Sequence, residues 1–376
     1  MIQEKRLVQE FIEMVQIDSL SRQEGKFAAY LENKLRTMGL EVIIDQKAGK
    51  KAGSDAGNII ARLPGEKRGA PVIFISAHMD TVPLGVCIKP CIENGVIYSD
   101  GETILGGDDK AGIAIILETL RHLQEEKIAH GDLEIVFTIG EEIGLLGARY
   151  LDLNLLRAAF GFVLDSDGAP GTIINQAPVQ ETLNVIIHGK AAHAGMEPEK
   201  GICAIRTAAE AISQMNLQRI DEETTANIGI IKGGEVTNII CDRVELAGEA
   251  RSLSEKKLIK QVKEMVSCLE RACQKTGAVL TIETEREYSA FKLAKSESVV
   301  KAAIGAAKAL GLQPKLVASG GASDANYFNA RGLPTVNLGI GMCNAHTCKE
   351  SIKIKDLVKG AHYLTAIIQF VSGEKI

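Results

Sequence analysis

The sequence predicts an α/β protein in which a mostly parallel β-sheet is flanked by helices and interrupted by a smaller inserted α+β domain. Three observations lead there. Before residue 180, continuous apolar strand-like runs alternate with helical stretches, the pattern of a sheet covered on both faces. Between residues 181 and 286 the rhythm becomes β-α-β-β-α-β, a ferredoxin-like order. After Tyr288 the helix–strand alternation returns. The expected division is a main domain in two parts, 1–178 and 289–376, with an insert at 179–288.

Two amphipathic helices are expected to open the chain, at 4–17 and 24–38, the second ended by Gly39. The Lys-rich stretch "KAGKKAGSDAG" (47–57) reads as an exposed loop. Strands follow at Glu41–Asp45, Asn58–Leu63 and Val72–Ala77, and "CIENGVIYS" (91–99) reads as a hairpin around Asn94-Gly95. Next come a helix at 109–124, a strand at 133–140, a helix at 144–157 and a strand at 160–165. The insert reads as strand 181–189, helix 201–216, strands 225–231 and 243–251, helix 254–276 and strand 278–286, with Ser254 capping the second helix. The return is helix 297–310, strand 315–318, helix 323–330, strand 334–339 and helix 355–372.

Bulk properties exclude several classes. A chain of 376 residues with 45% apolar and 24% charged residues is an ordinary soluble globular protein with a sizeable core. A net charge of −5 and the absence of a basic face argue against nucleic-acid binding. No apolar run is long enough for a membrane helix, and the N-terminus reads as an amphipathic helix start rather than a secretory signal. The eight cysteines include no CxxC pair, which argues against a disulfide framework or a thiolate zinc site. The expected location is the cytoplasm.

Function is written at the ends of the predicted strands. His78 and Asp80 follow the first parallel strand on one face, because strand side chains alternate. Asp108 sits in "GGDDKAG" at a helix entrance, Glu141 and Glu142 end "LEIVFTIGEE", Asp165 ends "FGFVLD", and His346 follows "TVNLGI". All fall on the carboxyl edge, where an α/β sheet builds its sites. Two histidines with several carboxylates and no thiolate suit catalytic zinc, manganese or cobalt. There are enough ligands for two ions sharing a carboxylate, with one carboxylate of the Glu141-Glu142 pair left over to move a proton.

Together "SAHMDTVP", "LGGDDKAG", "TIGEEIGLLGA", "VLDSDG" and the late His346 resemble, in order, the dinuclear zinc exopeptidase family of peptidase T, carboxypeptidase G and aminoacylase, the peptidase T branch above all. The resemblance implies a zinc-exopeptidase-like catalytic domain with a ferredoxin-like lid and dimerisation domain. It implies His78 and Asp165 on one ion, Glu142 and His346 on the other, and Asp108 bridging. Asp80 would orient the His78 imidazole, Glu141 would shuttle the proton, and the Asp108–Asp109 peptide would be cis. In the insert it points to His193 in "GKAAHAG" for the oxyanion of a neighbouring subunit, and to Asn238 and Arg251 for substrate, with a homodimer formed through the lid. Hinges would lie near 178–181 and 287–290.

The implied activity is a two-metal amide hydrolase, a peptidase T-like exopeptidase removing N-terminal residues from short peptides such as tripeptides. The alternative is an N-acyl amino-acid deacylase using the same ions. Peptidase T itself is somewhat longer and carries His-Pro-Gly where this chain has His193-Ala194-Gly195. His122, His130, His188 and His362 read as packing or surface residues, and Cys343 and Cys348 as small packing residues beside His346. The glycine-rich "ASGGASD" (318–324) lacks the Gly-Lys-Ser/Thr ending of a phosphate loop.

Overall fold

The computed structural model describes residues 1–373. The chain forms two compact units, the first made of Met1–Asn175, Lys292–Ala318 and Ser323–Ile376, the second of Gln176–Phe291 and Ser319–Ala322.

The first unit is built on a nine-stranded mixed sheet. In space its main path runs Glu41–Asp45, Asn58–Leu63, Leu133–Thr138, Ile73–His78, Phe160–Ser166, Thr335–Gly339, Thr172–Ala177 and Phe291–Lys292. The middle four strands, from Leu133–Thr138 to Thr335–Gly339, are parallel. The Ile73–His78 and Leu133–Thr138 strands are buried at every position, as the unbroken apolar runs require of strands covered on both faces. Gly161 permits the central packing: a Cβ there would stand 2.0 Å from the ring of Phe74. That ring instead lies in the gap and meets Phe328 at 4.6 Å between centroids.

The opening helices are Glu4–Val15 and Gly25–Thr37, and Leu7, Phe11, Met14 and Val15 form the buried stripe of the first. The hairpin is present as read: Glu93 pairs with Val96, leaving Asn94 (φ 51°) and Gly95 (φ 76°) as a two-residue turn in the left-handed region. It belongs to a small four-stranded sheet in which Ser351–Lys353 pairs with Val96–Ser99, and Met342–Cys343 pairs with Ser351–Ile352.

Three readings need correction. Residues 46–52 are a helix, not a loop: Asp45 caps it by accepting from Ala48 N–H, and Gly49 lies where a Cβ would meet Ala56 O at 2.1 Å. The helix expected at 144–157 is only Leu146–Tyr150, followed by a 3-10 turn at Leu153–Leu155. Leu145 starts it in the left-handed region and Leu151 is extended. The strand Thr172–Ala177 escaped the reading because its alternation is short and mixed.

The second unit has an antiparallel sheet in the order Gln218–Arg219, Thr224–Gly233, Arg243–Ser252, Val179–His188, Val279–Tyr288. With helices Ala204–Gln214 and Glu255–Thr276 between strands, this is the ferredoxin-like connection read from the sequence. It has its own core, including Val185, Ile187, Ala208, Leu246, Leu258 and Leu269.

Candidate metal centre

The parallel strands of the first unit deliver their ionisable residues to one edge. His78 is the last residue of Ile73–His78, and Asp165 is next to last in Phe160–Ser166. Glu141 and Glu142 stand in the turn after Leu133–Thr138, and His346 in the loop after Thr335–Gly339. Asp108 lies at the irregular start of the Gly107–Glu125 helix, where Asp108 and Asp109 are not helical and the peptide joining them is cis.

Asp108 is central. Its Oδ1 lies 3.0 Å from His78 Nε2 and its Oδ2 lies 3.1 Å from His346 Nε2, so one carboxylate faces two imidazoles. Asp165 Oδ1 approaches the same His78 nitrogen at 3.9 Å, and Glu142 Oε1 the same His346 nitrogen at 2.9 Å. Two three-residue groups therefore meet at Asp108: His78, Asp108 and Asp165, and Asp108, Glu142 and His346. In each, one ligand atom per residue falls within 4.8 Å of the others; His78, Glu141 and Glu142 form a third such group. All three pair imidazole nitrogen with carboxylate oxygen, the donor set that borderline divalent cations take.

A second ring of residues holds these in place. His78 Nδ1 lies 2.9 Å from the backbone carbonyl of Asp80 and 3.5 Å from its Oδ1. The first contact uses up Nδ1 and leaves Nε2 facing the cluster. The Asp80 carboxylate accepts from the backbone N–H groups of Glu141 (2.9 Å) and Glu142 (3.2 Å), and from Ser21 Oγ (2.7 Å). Glu24 accepts from Gly140 N–H (3.0 Å) and Ser54 Oγ (2.6 Å), bracing the same turn from before. Glu350 accepts from the N–H groups of Leu105, Gly106 and Asp108. Lys110 is fully buried, donates to Ile17 O at 2.6 Å and lies over the ring of Phe27. Ser21, Glu24, Lys110 and Glu350 were not anticipated, since a single polar residue in a loop or at the start of a helix is most often solvated and no spacing singles these out.

Electrostatics fit a place made for cations. Burial pushes Glu141 and Asp165 well above the usual carboxylate range, and neighbouring carboxylates push further. Burial also raises Glu142, against a hydrogen bond from His346. Burial opposes the charged form of His78, but contacts with Asp108 and Asp80 outweigh it and raise this imidazole well above normal. Hydrogen bonds with Asp108 and Glu142 carry His346 up to about 10. Asp108 alone among the carboxylates of these groups is lowered: burial opposes this, but the two histidines prevail. Protons are thus standing in for positive charge among crowded acids. Nearby, burial takes Lys110 down to about 7 and Asp324 up to about 6. Asp324 Oδ2 accepts from Thr138 Oγ1 at 2.5 Å, while Oδ1 has no partner.

The three expected residues of the second unit are arranged differently. His193 is exposed, and its Nδ1 accepts from the N–H groups of Gly195 (3.2 Å) and Met196 (3.1 Å), which places the proton of the neutral ring on Nε2. Asn238 is exposed and its carbonyl accepts from Ala194 N–H at 2.9 Å. Arg251 forms a bidentate pair with Glu249, at 2.9 and 3.0 Å. Gln180 joins Glu249 to Tyr288 in the same network. Cys343 is exposed rather than packed, which corrects that reading.

The sequence profile of peptidase family M20/M25/M40 matches residues 74–369. The chain belongs to peptidase family M20/M25/M40. This M20 peptidase is 46% identical to an aminopeptidase PepT of Bacillus cereus ATCC 10987, whose crystal structure superposes with a TM-score of 0.90 over 98% of this chain and 99% of that one. It is 41% identical to a tripeptidase of Staphylococcus aureus subsp. aureus Mu50, with a TM-score of 0.95 over the whole of both chains. It is also 28% identical to the peptidase T of Geobacillus kaustophilus (strain HTA426), over 92% of this chain and 91% of that protein. The chain is therefore a peptidase T-like metallopeptidase of the exopeptidase kind that uses divalent metal. Ser21 and Glu24 precede the matched span. Among the described residues no helix is long and apolar enough to cross a membrane.

Proposed function

We propose that this M20 peptidase is a cytoplasmic tripeptide aminopeptidase working with two zinc ions, manganese or cobalt being the other metals its donors would accept. One observation carries the reading: the two oxygens of Asp108 face two different histidines, each with a further carboxylate beside it. His78 and Asp165 would hold one ion, Glu142 and His346 the other, with Asp108 shared. Bound there, the pair supplies Lewis-acid polarisation of a scissile carbonyl and a water acidic enough to attack at neutral pH.

The protein's own groups do the rest. Asp80 fixes the Glu141-Glu142 turn through two backbone N–H bonds, so that Glu142 faces His346 and Glu141 stands free of that pairing. Glu141 takes the proton of the attacking water and returns it to the leaving amine, a role suited to a carboxylate whose burial raises its proton affinity. His193, supplied by the second copy of a homodimer, donates Nε2–H to the oxyanion; its Nδ1 bonds already set that tautomer. Arg251 captures the substrate carboxylate, and Asn238 adds a polar contact. The 179–288 insert acts as lid and dimerisation domain. The Thr224–Gly233 strand supports this, since Ile230 and Ile231 stand 48% and 55% exposed along it. Sedimentation of the purified protein as a monomer would remove the dimer from the proposal.

The deciding experiment is hydrolysis of a free tripeptide by metal-reconstituted protein, with the first released residue identified. Release of the N-terminal residue, lost after chelation and restored by metal, is the expected result. Acyl release from N-acetyl amino acids without peptide cleavage would keep the ions and overturn the substrate.

A further inference from the structure

Outside the ligand set, one side chain touches the bridging carboxylate's own backbone. Glu350 is fully buried, and its Oε2 accepts from Leu105 N–H and Gly106 N–H, both at 2.8 Å. Its Oε1 accepts from Asp108 N–H at 2.9 Å. Three backbone donors of the turn that presents Asp108 thus converge on one carboxylate from a segment 242 positions further along. The approach is close: a Cβ on Gly107 would lie 3.0 Å from Oε1.

The other end of Glu350 is equally constrained. Met342 pairs with Ile352 and Cys343 with Ser351, closing residues 344–350 into one loop. That loop also contains His346, held at φ 65°, and Glu350 N–H donates back to Thr347 O at 3.0 Å. Ser351 pairs in turn with Tyr98, which anchors the loop base to the hairpin before the Asp108 turn. Besides the His346–Asp108 contact itself, Glu350 therefore links the loop carrying His346 to the backbone of the turn carrying Asp108.

We propose that Glu350 is a positioning residue that sets the distance between Asp108 and His346 and thereby the affinity of the ion they share. It acts through the backbone of Asp108 and coordinates nothing itself. The inference rests on the two-ion reading above. Its chemical logic is that of outer partners in metal sites, which orient ligands they do not replace.

The test measures metal content and chelator-competition affinity for Zn²⁺ in wild type, Glu350→Gln and Glu350→Asp. Glutamine must turn an NH2 donor toward at least one backbone N–H, and aspartate is one methylene too short to reach all three. Glu134→Gln is the control: that carboxylate is also fully buried and accepts from Arg157 N–H and Ala158 N–H, but at the opposite end of the strand leading to Glu141. The expected result is two ions in wild type and Glu134→Gln, with one of the two held about 10- to 100-fold more weakly in both Glu350 variants. Wild-type affinity for both ions in the Glu350 variants, or an equal loss in Glu134→Gln, overturns the proposal. Failure of wild type itself to bind two ions would instead overturn the two-ion reading. Should both Glu350 variants fail to fold, amide exchange in metal-free wild type decides. Protection of Leu105, Gly106 and Asp108 at the level of core strands supports the link, and exchange as fast as at an exposed loop overturns it.

Discussion

The two units prepare for chemistry in opposite ways. In the first, every proposed ligand except His346 is largely buried, and the turns that carry them are tied down by Ser21, Glu24, Asp80 and Glu350. In the second, His193 and Asn238 are exposed and Arg251 is already paired with Glu249. With the roles proposed above, the contrast separates reaction from recognition. A centre that must hold charge at fixed spacing is preorganised inside one unit. Of the groups proposed to meet substrate, His193 and Asn238 are exposed, and Arg251 is half-buried with its orientation set by Glu249.

The largest effect should come from breaking the preorganised side. Glu141→Gln is expected to lower kcat on a tripeptide by about 10²- to 10⁴-fold while leaving metal content unchanged. Near-normal turnover would mean that the buried turn is a scaffold and the proton moves elsewhere. On the accessible side, Arg251→Ala should act mainly on KM, raising it by roughly 10- to 100-fold, as loss of a charged hydrogen-bond pair would. Glu249→Gln, assayed beside it, sharpens the point. If Glu249 only aims Arg251, its loss should cost less than the loss of Arg251 itself.

Ser21→Ala probes how far the outer ring matters. Removing a 2.7 Å bond to Asp80 is worth about 1 kcal/mol, so kcat/KM should fall roughly fivefold, with Asp80 and its two backbone bonds keeping the turn in place. The last prediction leaves the reaction aside and concerns stability alone. Asp324 is buried, and its folded-state value is raised from 3.8 to about 6. The unfolded chain therefore releases this proton first, and the stability present below pH 3.8 is lost as pH rises through 6. Urea melts of metal-free Asp324→Asn against wild type should diverge in favour of the variant across that window, by on the order of 2–3 kcal/mol, and run parallel above it.

Much of this contrast was legible in the chain. Ligand candidates announce themselves because an apolar strand gains nothing from ending in His78-Met79-Asp80 or Glu141-Glu142. The ferredoxin-like order is visible because its strands and helices have ordinary lengths; Ser254 stands at the N-cap of the second helix as read, but its side chain makes no capping hydrogen bond. What stayed hidden was tertiary. Glu350 and Glu24 are single glutamates in loops, and only the fold shows the amides they receive from residues more than a hundred positions away. The helix at residues 46–52 was hidden for a related reason: Gly49 and the lysines look like loop composition until the close approach of Ala56 explains the glycine. Arg251 shows the reverse limit. Its residue type suggested a carboxylate partner, and the partner present in the chain is Glu249, two residues away.

The order in which the ligands occur has a consequence for biosynthesis. Four of the five proposed ligands are encoded by residue 165, and the fifth, His346, arrives only after the whole second unit. With those ligands, a fragment that ends before residue 346 holds no complete pair of ion sites. A chain cut short anywhere before residue 346 lacks the imidazole that Asp108 and Glu142 face. On the proposed ligand set, hydrolysis therefore requires the chain to have been made past residue 346, beyond the whole second unit.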